Sequence, residues 1–413
     1  MTYGFSNCAL ALIENYFQRR GQQVKIGKHI SSSIEPERGV PQGSVLRPFF
    51  FLVFINDLAS FLKDIFTKLF ADDTTMAFSA KTLKGCIDAA RIGISLLITW
   101  CEYNQLYINW SKTFFMFTTN RRTDSPHVPL TLPTEIKCNG IVIQVVDSFR
   151  LLGITLDIKL NFVEHASNIA AGVKKKLFAI KRIFYLSREV KLQFLKVFIL
   201  PCFDFGMTLM MYYSQTAINI LTKSFYNAIY HILRIDCASM DVTTVDELLA
   251  EFNLTSFQQR VFMKFATFGF NMKFARRAPE ALKALLHYTE RPEASMQNVP
   301  HQGLRTSTFE YITPDRGHSS FADHHFKNFY ATMINKNDDL RNLYIKHDKT
   351  FHPLKSFPFT LLKFVIDLRQ QSKQLLKKHL DIFPQFKTTV KIERTKFLLN
   401  RRKPFLKLHQ RYN

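Results

Sequence analysis

The apolar residues of this 413-residue chain change their period near residue 160. Up to about residue 157, short alternating runs interleave with helical ones; beyond it, long helical patterns take over. Alternation with period two marks a half-buried strand, and recurrence at three and four residues marks one face of a helix. The chain is therefore expected to be an α/β or α+β layer over residues 1–157 and mostly helical from about 160 to about 292. A loop-rich stretch, 293–371, and a basic tail, 372–413, come after it. Within the first part, residues 6–20 read as an amphipathic helix, and 22–34 as a hairpin around Gly27-Lys28. From Val45 to Ile65, the residues Val45, Phe49, Leu52, Val53, Leu58, Phe61, Leu62 and Ile65 recur at helical spacing. Pro48 suits the first turn of that helix, where a missing N–H costs nothing. Thr82 is the expected N-cap of the next helix, whose stripe is Leu83, Ile87, Ala90, Ile94, Leu97, Ile98 and Cys101. Residues 106–117 read as strand, turn, strand, and "IKCNGIVIQVV" and "SFRLLGITLD" as two further strand-like runs.

Charge narrows the class of partner. Fifty-six Lys and Arg against 33 Asp and Glu leave a net charge of +23. Such a field attracts polyanions, nucleic acid before all others. An acidic lipid surface fits less well, because the charge is spread and has no hydrophobic anchor beside it. The longest clean apolar run, "FFFLVFI" (49–55), ends at Asn56-Asp57, far short of the ~18 residues that span a bilayer. The first residues hold no basic leader before their apolar stretch, so a signal peptide is not expected. The six cysteines include no Cys-x-x-Cys and read as reduced core thiols. An intracellular protein, in nucleus or cytoplasm, is expected.

"KLFADDTTMAFSA" (68–80) sets Asp72 and Asp73 side by side in what otherwise reads as a hairpin. Adjacent carboxylates repel, and tight turns more often use Asn-Gly or Asp-Gly. The pair is either an acidic turn or a site for a hard divalent cation, which takes carboxylate oxygens together with substrate phosphates. Two neighbouring features favour the second reading. Upstream stands "GVPQGSVL" (39–46), a stiff glycine- and proline-containing loop that opens a helix. Its glycines admit close backbone approach, and the helix start favours phosphate. Downstream, Lys112 comes after "YINWS" at a turn, where an ammonium could neutralise or protonate a departing pyrophosphate.

Taken in order, "ERGVPQGSVLRPFFFLVFINDL", "KLFADDTT", "WCEYNQLYINWSKTFFMF" and "FRLLGITLD" resemble the palm of a reverse transcriptase, of the non-LTR (LINE-type) retrotransposon kind. "VKKKLFAIKRIF" and "VFILPCFDFGMTLM" are similar to the thumb region of such elements. "LRTSTFEYITPDRGHSSF" resembles, more weakly, the segment that commonly comes after that thumb. The resemblance implies a partial polymerase palm over 1–160, an antiparallel sheet with helices, and a thumb-like domain over 161–292. It implies RNA-directed DNA polymerase chemistry by two-metal nucleotidyl transfer. Asp72 would be the metal-binding carboxylate, with Asp73 supporting it and Mg²⁺ or Mn²⁺ as the ion. Gly39, Pro41, Gln42 and Gly43 would lie along the incoming nucleotide and template. Lys112 would act on pyrophosphate, and Leu152 and Gly153 would belong to the hairpin that grips the primer. An RNA template, a DNA primer and dNTPs are the implied partners.

Two departures from the family pattern matter. The family's first catalytic aspartate lies in a strand upstream of the helix that precedes "QQVKIG". Before Gly39 this chain holds only Glu14, Glu35 and Glu37 as acids, none of them on such a strand. The palm is therefore expected to be truncated at its N-terminus, and the chain alone to polymerise little or nothing. Arg47 also stands where the family has glycine. The rival expectation is a non-catalytic nucleic-acid-binding remnant that uses the basic thumb and tail. A viral RNA polymerase palm is disfavoured, since those enzymes carry Gly-Asp-Asp where this chain has Ala-Asp-Asp.

Overall fold

In a computed structural model, the described residues are 3–18, 20–35, 39–40, 43–118, 132–180, 185–233, 249–274, 288–290, 309–311, 330, 333–334, 337–348 and 357–378. They form a mixed α+β protein of helices and small, mostly antiparallel sheets. Two compact units divide it, one built on the described residues up to Phe117 and on 132–146, the other on Thr118 and the described residues from Asp147 onward.

The first unit opens with α1 (Asn7–Phe17), where the Ala9 N–H donates to the Ser6 side chain at the N-cap. An 11-residue helix is marginal by itself, and α1 buries none of its residues. What holds it is aromatic: Tyr16 and Phe17 meet Phe50 with ring centroids 5.2 and 5.3 Å apart. Strands β1 (Lys25–Ile26) and β2 (His29–Ile30) form the expected hairpin around Gly27-Lys28, Gly27 taking φ +62°. The helix expected over 45–65 is broken. It runs as α2 (Arg47–Ile55) and α3 (Leu58–Phe61), interrupted at Asn56-Asp57. The break lets Ile55, Leu58 and Leu62 share one buried cluster with Trp100 and Cys101, which one straight helix need not have done.

Strands β3 (Phe66–Phe70) and β4 (Asp73–Ala77) pair antiparallel and lead to α4 (Leu83–Tyr103). Thr82 caps α4 as expected, its Oγ1 accepting from the Gly85 N–H at 3.1 Å. Ala90, Gly93, Ile94, Trp100 and Cys101 are the helix's buried residues. Gly93 is required by packing, because a β-carbon there would stand 2.5 Å from the Phe78 ring. Residues 106–109 are not a strand. They run irregularly into a 3₁₀ turn at Trp110–Lys112 and a two-residue strand, β5 (Phe114–Phe115). Strand β5 pairs parallel with β7 (Ile141–Val145), which pairs antiparallel with β6 (Glu135–Cys138). "IKCNGIVIQVV" is thus a hairpin rather than one run, turning at Asn139-Gly140 with φ +49° and +79°.

The second unit begins with another hairpin, β8 (Ser148–Leu151) and β9 (Ile154–Asp157). Its base is fixed by Asp157, whose carboxylate accepts from the N–H groups of Lys159, Asn161 and Phe162. Helix α5 (Val163–Ile180) comes next and packs on α8 (Gln215–Leu233), the most deeply buried element, with eleven buried residues. Between them run α6 (Arg188–Phe194), a π-helical segment (Leu195–Ile199) and α7 (Leu200–Asp204). Helix α9 (Phe257–Phe274) contributes Phe257, Phe262, Phe265 and Phe270 to the large core of this unit. The short pair β10 (Tyr288–Glu290) and β11 (Phe309–Tyr311), then α10 (Asp338–Asp348) and α11 (Phe357–Lys378), complete the described elements.

Among the described residues, no helix is long and apolar enough to cross a membrane. The described cysteines are free. Cys101 and Cys138 are core thiols, but Cys8 is exposed, and Cys86 and Cys202 are half-buried.

Candidate active site

The β3–β4 hairpin carries the candidate metal ligands, and its register sets only one of the two aspartates in the turn. Phe70 pairs with Asp73, so the two-residue turn is Ala71-Asp72, and Asp73 already opens β4. Of the turn pair only Ala71 has positive φ, at +52°, the sign pattern of a type II′ turn. Glycine is the residue that such a position favours, and a non-glycine residue held there costs on the order of 1 kcal/mol. Strand alternation sets the rest. Thr67, Leu69, Thr74 and Met76 point inward, and Leu69 and Met76 reach the apolar clusters behind. Phe66, Lys68, Phe70, Asp73, Thr75 and Ala77 share the outer face, where Phe66 and Phe70 are 61% and 63% exposed. The Lys68 ammonium lies 5.1 Å from the Phe66 ring centroid. Both aspartates are exposed, Asp72 at the turn and Asp73 on this outer face.

Two adjacent exposed carboxylates suit a hard divalent ion that completes its octahedron with water and substrate phosphates. Among the described residues, no group of three or more His, Cys, Asp or Glu side chains gathers as a metal cage. Glu14, one of the three acids before Gly39, lies on α1, where it accepts from the Gln18 amide.

Lys112 ends the 3₁₀ turn and is exposed. Asn109 builds that turn, its carbonyl accepting from the Lys112 N–H at 3.1 Å and from Thr113 Oγ1 at 2.9 Å. Trp110 of the turn and Met76 of β4 pack on one apolar cluster, which ties the lysine turn and the aspartate hairpin to a shared base. Gly39 and Gly43 take φ +91° and +81°, conformations open to glycine alone at little cost. Pro41 and Gln42, between them, lie outside the described residues, as do Glu37, Cys237 and the tail beyond Lys378. Arg47 is exposed at the first residue of α2.

Leu152 and Gly153 form the turn of the β8–β9 hairpin in the second unit. Both have positive φ, +47° and +89°, as a type I′ turn demands. Sequence reading missed the support beneath this turn, and missed the outward aromatics of β3. The alternation in "FTKLF" already contained the latter signal.

Residues 3–156 match the family described as reverse transcriptase (RNA-dependent DNA polymerase). They belong to the reverse transcriptase family. The match ends inside β9, so this reverse transcriptase segment includes the aspartate hairpin, the Lys112 turn and the Leu152-Gly153 turn. Curated relatives agree in kind. The RNA-directed DNA polymerase from mobile element jockey of Drosophila melanogaster is 27% identical over 48% of this chain and 22% of its own length. Probable RNA-directed DNA polymerases from transposon BS and transposon X-element of the same species are 29% and 27% identical, over 37% and 44% of this chain. They are covered over 17% and 19% of their lengths, so the chain spans about a fifth of the relatives it matches. With the ordered motifs, these relatives identify the reverse transcriptase segment as that of a non-LTR retrotransposon. No solved structure matches the chain.

Proposed function

We propose that this chain carries the catalytic hairpin, the nucleotide-side loop and the primer-contacting hairpin of an RNA-directed DNA polymerase, and that by itself it binds primed template without extending it. The observation that carries the reading is the Ala71-Asp72 turn with Asp73 beside it at the start of β4. A strained non-glycine residue there presents two exposed carboxylates on a hairpin whose inner face packs on the apolar clusters, within a segment of reverse transcriptase descent. Residues 1–160 then act as a partial palm, and the helical region after them as a thumb.

Each residue has a physical task in this reading. Asp72 and Asp73 would hold Mg²⁺ or Mn²⁺, which would supply charge neutralisation at the phosphates of a dNTP. Gly39 and Gly43, with Pro41 and Gln42 between them, would let backbone lie close to nucleotide and template. Lys112 would neutralise or protonate the leaving pyrophosphate, a role that suits an exposed ammonium on a fixed turn. Positioning dominates phosphoryl-transfer catalysis, and two carboxylates from one hairpin cannot by themselves fix two ions ~3.5–4 Å apart. Hence the expected lack of extension.

The test is iron-mediated cleavage mapping. With Fe²⁺ in place of Mg²⁺, ascorbate and peroxide should cut the backbone near residues 70–75. Asp72→Asn should remove that cut, and cleavage that survives Asp72→Asn would refute the metal assignment.

A second reading, a nucleic-acid-binding remnant, has its own support in the exposed run Lys174, Lys175 and Lys176 on α5. Binding of primed template that weakens steeply with salt yet ignores both Mg²⁺ and Asp72→Asn would favour it.

A further inference from the structure

The β8–β9 hairpin is a sheet of only two strands, a unit that is marginal without support. Its base has that support, from Asp157 and from His165 Nδ1, which accepts the Thr155 N–H at 3.2 Å. Its tip is held differently. A β-carbon built on Gly153 would stand 2.9 Å from Phe205 Cε1, so the Phe205 ring edge rests directly on the glycine of the turn. The converse contact lies one residue on. Gly206 has φ +67°, and a β-carbon there would stand 2.6 Å from Ile154 Cδ1. Two chain reversals thus interlock, each glycine leaving the space that its partner's neighbour fills.

Phe205 cannot simply move with the turn. Its N–H donates to the Pro201 carbonyl at 3.3 Å, closing α7. The preceding Asp204 is gripped by Arg260 of α9, whose guanidinium donates to both carboxylate oxygens, the longer bond being 2.7 Å. Lys264 adds a second cation, 3.6 Å away. Phe203, on the other side of Asp204, is fully buried. The ring that touches Gly153 therefore hangs from a fixed helix end.

Two further facts say that the tip serves something outside this unit's own core. Leu152 occupies the first turn position, where Asn or Gly would be less strained, and it remains 45% exposed. Phe205 is 55% exposed, although its neighbours at 203 and 207 are buried. Leu152 and Phe205 flank Gly153, one along the chain and one across space, and leave apolar surface at the tip.

We propose that Phe205 is a positioning residue: held by the Asp204–Arg260 pair, it presets the Leu152-Gly153 turn in the place where the primer strand meets it. The proposal rests on the reading of this turn as primer-contacting.

The test uses the full chain and a primer–template with 5-iododeoxyuridine at the last primer positions. Irradiation should attach primer to a peptide within 148–157. At equal occupancy by fluorescence anisotropy, Phe205→Ala should lower that yield at least fivefold, and Phe205→Tyr should restore it. Hydrogen exchange should show the amides of 150–155 opening at least tenfold faster in Phe205→Ala, with α8 amides unchanged. Should α8 loosen as well, Phe205→Leu, which keeps apolar bulk without the ring edge, replaces the alanine variant with the same expectations. Unchanged crosslinking and exchange in the variant would overturn the positioning role while leaving the primer reading intact. If the parent chain binds the duplex without crosslinking at 148–157, the primer reading fails and the inference falls with it.

Discussion

Ala71 and His165 are the residues whose local physics is most exposed to measurement. Ala71 sits at φ +52° in the turn that presents Asp72, where glycine would rest without strain. Ala71→Gly relieves that strain but adds freedom to the unfolded chain, and the net expected gain is about 0.5 kcal/mol. Ala71→Val should cost more than ~1 kcal/mol, since a β-branched residue tolerates positive φ worst. Urea unfolding of the three proteins checks this, and a glycine variant less stable than the parent would contradict it. His165 is buried beneath the Tyr213 ring, which meets it edge-on at 6.1 Å. Burial first, and the Arg150 charge second, push its pKa below the usual imidazole value. Burial also drives the Tyr213 hydroxyl above the ordinary phenol range. Between the lowered folded value and ~6.5, the unfolded chain binds more protons than the folded one. This contribution to stability is therefore full above pH ~6.5 and is lost as the pH falls through the folded value. Thermal melts from pH 7.5 to 5 should show the midpoint falling, and His165→Gln should flatten the slope. A slope unchanged by that substitution would contradict the assignment.

At the scale of elements, the sequence made hairpins and caps legible wherever local chemistry decides them. Gly27-Lys28, Thr82 and the stripe of α4 all read correctly, because φ > 0, a side-chain cap and a 3.6-residue period each leave a local mark. The helix over 45–65 misread because the apolar spacing continues through Asn56-Asp57. Only the tertiary demand that Ile55, Leu58 and Leu62 reach one cluster breaks it. "LYIN" misread because Leu106 and Ile108 alternate toward a core without any strand to pair with. The motifs were legible as an ordered set, but the residues of the hairpin turn were not, since register is fixed by pairing across the hairpin. Phe205 left no local signal, because its contact with Gly153 spans about fifty residues of chain. Element chemistry also predicts a weak link and a strong one. Leu152→Asn should raise the melting temperature by a few degrees, because Asn suits the first position of a type I′ turn. Arg260→Ala should cost about 1–3 kcal/mol, since it removes both hydrogen bonds to the half-buried Asp204 carboxylate and leaves it only the more distant Lys264. A loss under a few tenths of a kcal/mol would show the pair to be energetically idle.

For the whole molecule, charge and the reverse transcriptase segment point the same way, and the proposed metal site is only part of what catalysis needs. A net charge of +23 favours duplex or RNA binding whether or not chemistry accompanies it. Catalysis needs more, namely carboxylates that place two ions and a primer end together. Under the proposed function, the exposed pair at Asp72 and Asp73 would provide one part of that arrangement. Primer extension on a primed RNA template, with dNTPs and either Mg²⁺ or Mn²⁺, compares the purified chain with its Asp72→Asn variant most directly. Binding of the template by both proteins, with no extension by the parent above the variant, is the predicted result. Robust extension by the parent that Asp72→Asn abolishes would contradict it.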